Sequence, residues 1–234
     1  MKLTPEQIDH LYVFTRQHFV EWYDLQTELV DHLANAIEQQ GVENPKISFE
    51  EALQIEFKKF GISGFMDVVA EKQKFLSKKY ESMIWSYYKE FFKLPTILLT
   101  LSAVFITYFI SSHWQYGEYF ILAALGIIYL WSAFEAITIG LKIKRKQKKE
   151  GKKWLFENMI NSNEYLLFYF LSPINLYRGL EYFGHEDWTT LYYAFSSVFI
   201  VIFALYFYVR IKLVPPLVSQ ELVRTYPEYN FQNQ

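Results

Sequence analysis

The pattern of hydrophobic positions changes near residue 94. Before it, apolar residues recur at spacings of three and four among many charged ones, which predicts amphipathic helices. After it, long uncharged stretches appear. The first, 95–112, has no charge over 18 residues and would be roughly 27 Å long as a helix, close to the thickness of a hydrocarbon core. We therefore expect an all-α protein, in which a small helical module is joined to a transmembrane helix bundle.

The N-terminal part, residues 1–93, predicts four helices. The first starts at the capping box Thr4-Pro5-Glu6-Gln7 and runs to about residue 19. The second runs from about residue 24 to Gln40-Gly41. The third covers 49–60 after a second capping box, Ser48 with Glu51, and Gly61 stops it. The last runs from about residue 63 toward residue 93 and leads to the first long apolar segment.

The C-terminal part predicts four membrane spans between residues 94 and 214. Their positions are 95–112, 119–140, 164–183 and 190–214, followed by a tail at 215–234. The third is the least apolar, because it carries Pro173, Asn175, Arg178 and Glu181. It is counted as a span because Lys and Arg are absent from both linkers at 113–118 and 184–189, while basic loops stay on the cytoplasmic side.

A basic run between the second and third predicted spans fixes the orientation. It holds eight of the 23 Lys and Arg residues and is expected to form a cytoplasmic loop at 141–153. Both termini are then cytoplasmic, in a multi-pass protein of the inner (plasma) membrane. The run either sets the topology alone or also binds anionic lipid head groups. Its cations are Lys142, Lys144, Arg145, Lys146, Lys148, Lys149, Lys152 and Lys153.

Part of the N-terminal module is similar to a known family. The segments ELVDHL at 28–33 and SFEEAL at 48–53, with Phe60-Gly61 after them, resemble the HAAS-type helical module of bacterial multi-helix membrane proteins. The resemblance covers roughly residues 5–75. It implies a cytoplasmic sensory or interaction module, in some proteins linked to transcriptional regulators, and it implies no catalysis.

Ionisable and polar residues inside the predicted spans are candidates for a functional pocket. A charge within a bilayer is costly and usually has a partner or a use. Glu135, Asn175 and Arg178 would line such a pocket if the protein were a small transporter or channel subunit. The alternative is hydrogen bonding between helices, with Glu135 bonded to Asn161, Asn163 or Lys142.

Two further groups of residues have both a functional and a structural interpretation. His113, Glu118, His185 and Glu186 would form a metal or proton-sensing site if the two outer turns met, and otherwise they mark the membrane interface. Glu28 and His32 are neighbours on one helix face. They are half of a metal site or, as we favour, part of a polar surface, since a site needs three or four ligands.

Composition narrows the function classes. The chain has no Cys and a net charge of −2, so neither thiolate chemistry nor a nucleic-acid partner is indicated. Its first ten residues are too polar for a cleavable signal peptide. Motifs typical of hydrolases and nucleotide-binding enzymes are absent, and no cofactor is expected. We predict a membrane regulatory or sensory protein whose residues 1–93 contact a partner. The alternatives are a small transporter or channel subunit, which with so few helices would act as a homo-oligomer, and a membrane enzyme acting on lipid.

Overall fold

The computed structural model describes residues 2–160, 189–226 and 229, and its regular structure within these ranges is helical throughout. The chain divides into two compact units. The first unit consists of Met1–Lys78, Arg145–Met159 and Thr225–Gln234, and the second consists of Lys79–Lys144 and Ile160–Arg224. This division differs from the predicted boundaries at 93 and 215, because the end of the basic run and the tail belong to the first unit.

The helices of the first unit begin where local sequence signals place them. They are α1 (Pro5–Gln17), α2 (Tyr23–Glu43), α3 (Phe49–Lys58) and the start of α4 (Met66–Glu90). Both predicted capping boxes are present, at Thr4 with Gln7 and at Ser48 with Glu51. The predicted end of α2 at Gly41 is wrong. Gly41 is buried inside α2, and the helix ends before Asn44, which precedes Pro45 and has a non-helical backbone with φ −132° and ψ 90°.

The core of the first unit lies among these helices. Residues of α1, α2 and α3 share it with Phe65 and Val69. A group of aromatic rings closes one end, where the His18 ring lies 4.3 Å from Phe57 and Phe57 lies 5.0 Å from Phe65, measured between ring centroids. The buried residues of α1, α2 and α3 include Leu11, Phe14, Leu25, Leu29, Val30, Leu33, Ile37, Ala52 and Leu53.

The second unit contains the apolar helices. They are α5 (Thr96–His113), α6 (Gly117–Glu150) and α8 (Thr189–Tyr208), while the short α7 (Leu155–Ile160) lies almost wholly in the first unit. A π-helical segment, Val209–Leu213, joins α8 to α9 (Val214–Thr225). Three helices in the described part of the chain are long and apolar enough to cross a membrane: Thr96–His113, Gly117–Glu150 and Thr190–Thr225. The span predicted at 164–183 lies outside the described residues.

The connection between α5 and α6 is tight. The Gly117 amide donates a hydrogen bond to the Trp114 carbonyl oxygen at 2.9 Å. A Cβ atom added to Gly117 would lie 1.8 Å from the Ser111 carbonyl oxygen. This turn therefore requires glycine at residue 117.

The segment predicted as a loop at 141–153 is helical for most of its length. Residues 141–150 continue α6, and Gly151, with φ at +68°, ends it. Lys, Arg, Gln and Glu are strong helix formers, and cations are stabilised near a helix C-terminus. The charge of the run predicts its side of the membrane but does not make it irregular.

The third apolar helix also continues beyond its predicted end. The tail is predicted to begin at residue 215, but Pro215 and Pro216 occupy the first turn of α9. Proline is tolerated there because the amide groups of a first turn need no partner within the helix. The preceding π-helical segment, in which the Val214 amide bonds the Val209 carbonyl, widens the backbone before the prolines.

Candidate functional site

Trp154 is the centre of a polar and aromatic cluster in the first unit. It follows the end of α6 and is fully buried, with 0% of its surface exposed. Its ring centroid lies 5.4 Å from Tyr23 of α2, 5.4 Å from Tyr226 and 5.1 Å from Tyr229. Three distant stretches of sequence therefore meet at one side chain. Trp154 and the aromatic and polar residues around it form the Trp154 cluster, which consists of Tyr23, Asp24, Glu28, Lys146, Trp154, Glu157, Tyr226 and Tyr229.

Asp24 holds the segment around Trp154 against the start of α2. Both of its carboxylate oxygens accept a hydrogen bond from the Leu155 amide at 3.1 Å. Beside it, the Tyr23 amide donates to the Lys153 carbonyl oxygen at 2.7 Å. Asp24 is only 2% exposed. Burial raises the pKa of its carboxyl to about 6, against the opposing effect of the Leu155 amide and with a smaller contribution from Glu28.

Glu28 binds the C-terminal tail. The Tyr226 hydroxyl donates to Glu28 Oε1 at 2.6 Å, and Lys72 Nζ lies 2.7 Å from both carboxylate oxygens. Burial, together with the neighbouring Glu28 carboxylate, raises the pKa of Tyr226 above its usual range. Glu28 thus bonds to both Lys72 and Tyr226. His32, which was predicted to be its neighbour, is exposed on the same helix.

Glu157 connects the basic run to the tail. Its Oε1 atom accepts from Lys146 Nζ at 3.1 Å and from the Tyr229 hydroxyl at 3.2 Å. Lys146 Nζ also lies 3.7 Å above the Tyr229 ring. Within the described residues, Glu157 Oε2 and the Trp154 indole nitrogen are buried without a hydrogen-bond partner. Each such group costs about 1–3 kcal/mol, so the cluster is less stable than an apolar core of equal size.

Three of the eight cations in the basic run are engaged inside the first unit. Besides Lys146, Lys152 Nζ lies 3.7 Å above the Tyr23 ring and Lys153 Nζ lies 2.6 Å from Glu21. The other five, Lys142, Lys144, Arg145, Lys148 and Lys149, are exposed on α6. The basic run therefore has two sets of residues with different surroundings.

The buried Asp24 carboxyl predicts that the first unit loses stability as the pH rises through about 6. Its folded pKa, about 6, exceeds the ordinary value of 3.8, so folding favours the protonated form. The stabilising contribution is complete below pH 4, decreases between the two values and is lost above pH 6. A shift of about two pH units corresponds to about 3 kcal/mol as an upper value. Hydrogen exchange of the Leu155 amide in the full chain measures this pH-dependent loss of stability.

Asp24→Asn tests this pH dependence, because asparagine keeps an acceptor for the Leu155 amide and has no titrating proton. The variant should protect that amide equally at pH 5 and pH 7.5, while the wild type should protect it better at pH 5. Asp31→Asn is the control, since Asp31 is an exposed carboxyl on the same helix. An unchanged pH profile in Asp24→Asn would remove Asp24 as the cause.

Glu135 has a partner that was not predicted. Its Oε1 atom lies 2.7 Å from Lys212 Nζ, which belongs to the π-helical segment. The expected partners were Asn161, Asn163 or Lys142. The first two lie outside the described residues, as do Asn175 and Arg178 of the predicted pocket. The ion pair neutralises the Glu135 charge within the second unit.

The predicted outer cluster is described only in part. His113 ends α5 with its Nδ1 atom 3.1 Å from the Phe109 carbonyl oxygen and its ring stacked on Phe109, at 4.4 Å between centroids. Glu118 is exposed in the first turn of α6. His185 and Glu186 lie outside the described residues, so the cluster stays a prediction. Across the described ranges, no three His, Asp or Glu side chains gather as a metal site would require.

Sequence reasoning missed the centre of the site. Asp24, Trp154, Tyr226 and Tyr229 were not singled out, because their contacts join residues far apart in the chain. One signal was available, since Trp154 directly follows Lys152 and Lys153 at the end of the basic run. A large aromatic residue next to a charged stretch is a candidate anchor.

No family model matches this chain, and neither does any curated protein or solved structure.

Proposed function

We propose that this chain is an integral membrane regulatory protein, in which the first unit is a cytoplasmic module that senses the state of the membrane helices and contacts a protein partner. The observation that carries the proposal is the Trp154 cluster. It joins three stretches, 1–78, 145–159 and 225–229. Each stretch continues directly into a helix of the second unit, so movement of those helices is transmitted through the backbone to the cluster.

The polarity of the cluster supports a regulatory role. A permanent anchor would bury apolar side chains, whereas this one buries the carboxyl groups of Asp24 and Glu157 and leaves polar atoms unsatisfied in the described region. Such a contact opens at a lower free-energy cost than an apolar core does. An equilibrium between closed and open states is what a sensory module needs.

The composition of the first unit supports four membrane crossings. Its three stretches bond to one another, so they lie on the same side of a membrane, and an even number of crossings must separate consecutive stretches. Between the first two, α5 and α6 supply two. Between the last two, the described residues supply one, at 190–225, and the segment predicted at 164–183 would supply the second.

The sidedness follows from charge. The first unit contains the last six cations of the basic run, and short basic segments remain in the cytoplasm. For a protein of the inner (plasma) membrane of a bacterial cell, the proposal therefore places both termini in the cytoplasm and the predicted linkers at 113–118 and 184–189 outside.

Two exposed apolar residues suggest where the partner binds. Phe19 has a φ of +65°, a costly conformation for a bulky residue, and its side chain is 75% exposed. Ile62 is fully exposed beside Gly61. The rings of His18 and Phe65 lie 6.0 Å apart, which brings the turns that carry Phe19 and Ile62 to one end of the unit. Exposed apolar groups gathered in this way favour contact with a protein.

The absence of cysteine allows both parts of the proposal to be tested with single-cysteine chains. In intact cells, a membrane-impermeant maleimide should label Gln115→Cys and Gly184→Cys, and it should label Ile62→Cys only after permeabilisation. A photo-crosslinker attached at Ile62→Cys should then form an adduct of defined mass with one cytoplasmic protein.

The matched control for the partner is a second exposed apolar residue. Adding Phe19→Ser should abolish the adduct, whereas adding Val42→Ser, which changes an exposed residue near the end of α2, should leave it intact. Labelling of Ile62→Cys from outside would refute the topology. An adduct that survives Phe19→Ser, or no adduct at all, would refute the partner surface.

A further inference from the structure

The last turns of α6 carry five exposed cations on one side of the helix. At about 100° per residue, they fall within an arc of about 160°. Ile143, which is 7% exposed, lies on the opposite side, together with the half-buried Lys146, Gln147 and Glu150. Because one α-helix carries all of these residues, helical geometry alone sets their relative positions. The cationic arc is defined as Lys142, Lys144, Arg145, Lys148 and Lys149.

The cationic arc follows the membrane-length apolar part of the same helix without a break. The apolar part ends at Leu141 and the arc begins at Lys142. Residues 142–149 extend about 10 Å along the helix axis. This length is enough to pass through the polar head-group layer that borders a hydrocarbon core. Helix continuity therefore places the five cations at the depth of lipid phosphates.

In the described residues none of the five arc cations forms an ion pair, and Glu150, at the end of α6, interacts electrostatically with Lys149. The remaining cations of the basic run contrast with them, since Lys146 pairs with Glu157, Lys153 pairs with Glu21, and Lys152 lies over the Tyr23 ring. The segment 141–149 also contains no acidic residue. A surface of this kind attracts anions.

We propose that the cationic arc binds the phosphodiester head groups of anionic phospholipids in the adjacent leaflet. Five of the eight cations in the basic run form this site, and the other three hold the first unit together. Continuity with the apolar helix favours lipid over nucleic acid as the source of phosphate. The inference goes beyond the proposed regulatory function and does not depend on it.

Native mass spectrometry of the full chain in a neutral detergent tests the proposal. Phosphatidylglycerol and phosphatidylcholine with identical acyl chains are titrated in parallel. The wild type should bind phosphatidylglycerol at least tenfold more tightly, and the preference should shrink as salt is added. Each cation near a membrane surface contributes about a fivefold change in affinity. The variant K142Q/K144Q/R145Q/K148Q/K149Q should therefore lose the preference.

A matched variant removes the same charge elsewhere. K2Q/K46Q/K58Q/K74Q/K78Q changes five exposed lysines of the first unit, and it should keep the lipid preference. If the variant with five substitutions in the arc does not fold, K148Q/K149Q alone is the test. It should weaken phosphatidylglycerol binding by up to about 25-fold, a change that the titration resolves.

Three results would overturn the proposal. The first is equal binding of the two lipids by the wild type, and the second is an equal loss in the arc variant and the matched variant. The third is binding of a single-stranded oligonucleotide that depends on the arc while lipid preference is absent, which would assign the surface to nucleic acid.

Discussion

Replacing Trp154 by alanine is expected to lower the free energy of unfolding of the first unit by about 3–5 kcal/mol. The indole is fully buried and contacts rings from α2 and from the tail. Its removal leaves a cavity between three stretches of chain whose covalent connection runs through the second unit. We expect the tail to dissociate first, because Tyr226 and Tyr229 both lose their ring contact with the indole and keep polar contacts with Glu28, Glu157 and Lys146.

Hydrogen exchange of the full chain in detergent measures this effect at the Leu155 amide and along α2. Trp114→Ala is the matched control, because it removes the same atoms from a side chain that is 52% exposed. The control should change exchange by less than tenfold. If Trp154→Ala leaves the Leu155 amide as well protected as the control does, the Trp154 cluster does not hold the three stretches together.

Replacing Gly117 by alanine is expected to destabilise the second unit by about 3 kcal/mol, the upper part of the range for added methyl groups. The new Cβ atom would lie 1.8 Å from the Ser111 carbonyl oxygen. A backbone atom cannot turn away as a flexible side chain can. Relief of the contact must therefore move the turn that joins α5 and α6.

Thermal unfolding of the purified full chain, together with its elution profile, measures the effect of Gly117→Ala. Gly126→Ala is the control on the same helix, because no atom lies within 4 Å of its added Cβ. The control should be neutral or more stable by up to about 1 kcal/mol, since alanine has the higher helix propensity. Equal melting temperatures for the two variants would contradict the tight turn.

The features that sequence predicted correctly depend on residues close together in the chain. Thr4 with Gln7 and Ser48 with Glu51 are three residues apart, so their chemistry alone indicates a helix start. The apolar segments that form α5 and the later long helices were equally visible, because hydropathy over about 18 residues is a local property.

The features that were missed or wrongly predicted depend on contacts between residues far apart in the sequence or on the backbone structure of neighbouring residues. Asp24 bonds an amide 131 residues away, and no local pattern specifies that pairing. Charge predicted the side of the membrane on which the basic run lies, but it carried no information on the helicity of the run, which depends on side-chain propensity. Pro215 and Pro216 did not end the last long helix, because a π-helical segment with a different pattern of backbone hydrogen bonds precedes them.

The first unit takes residues from both ends of the polypeptide, and this affects the order of its biosynthesis. During translation, α1, α2 and α3 leave the ribosome long before Tyr226 and Tyr229 have been made. Under the proposed topology, the cluster around Trp154 can close only after the apolar segments between α3 and Tyr226 have been inserted into the membrane. Closure of the cluster would then mark the completed insertion of these segments.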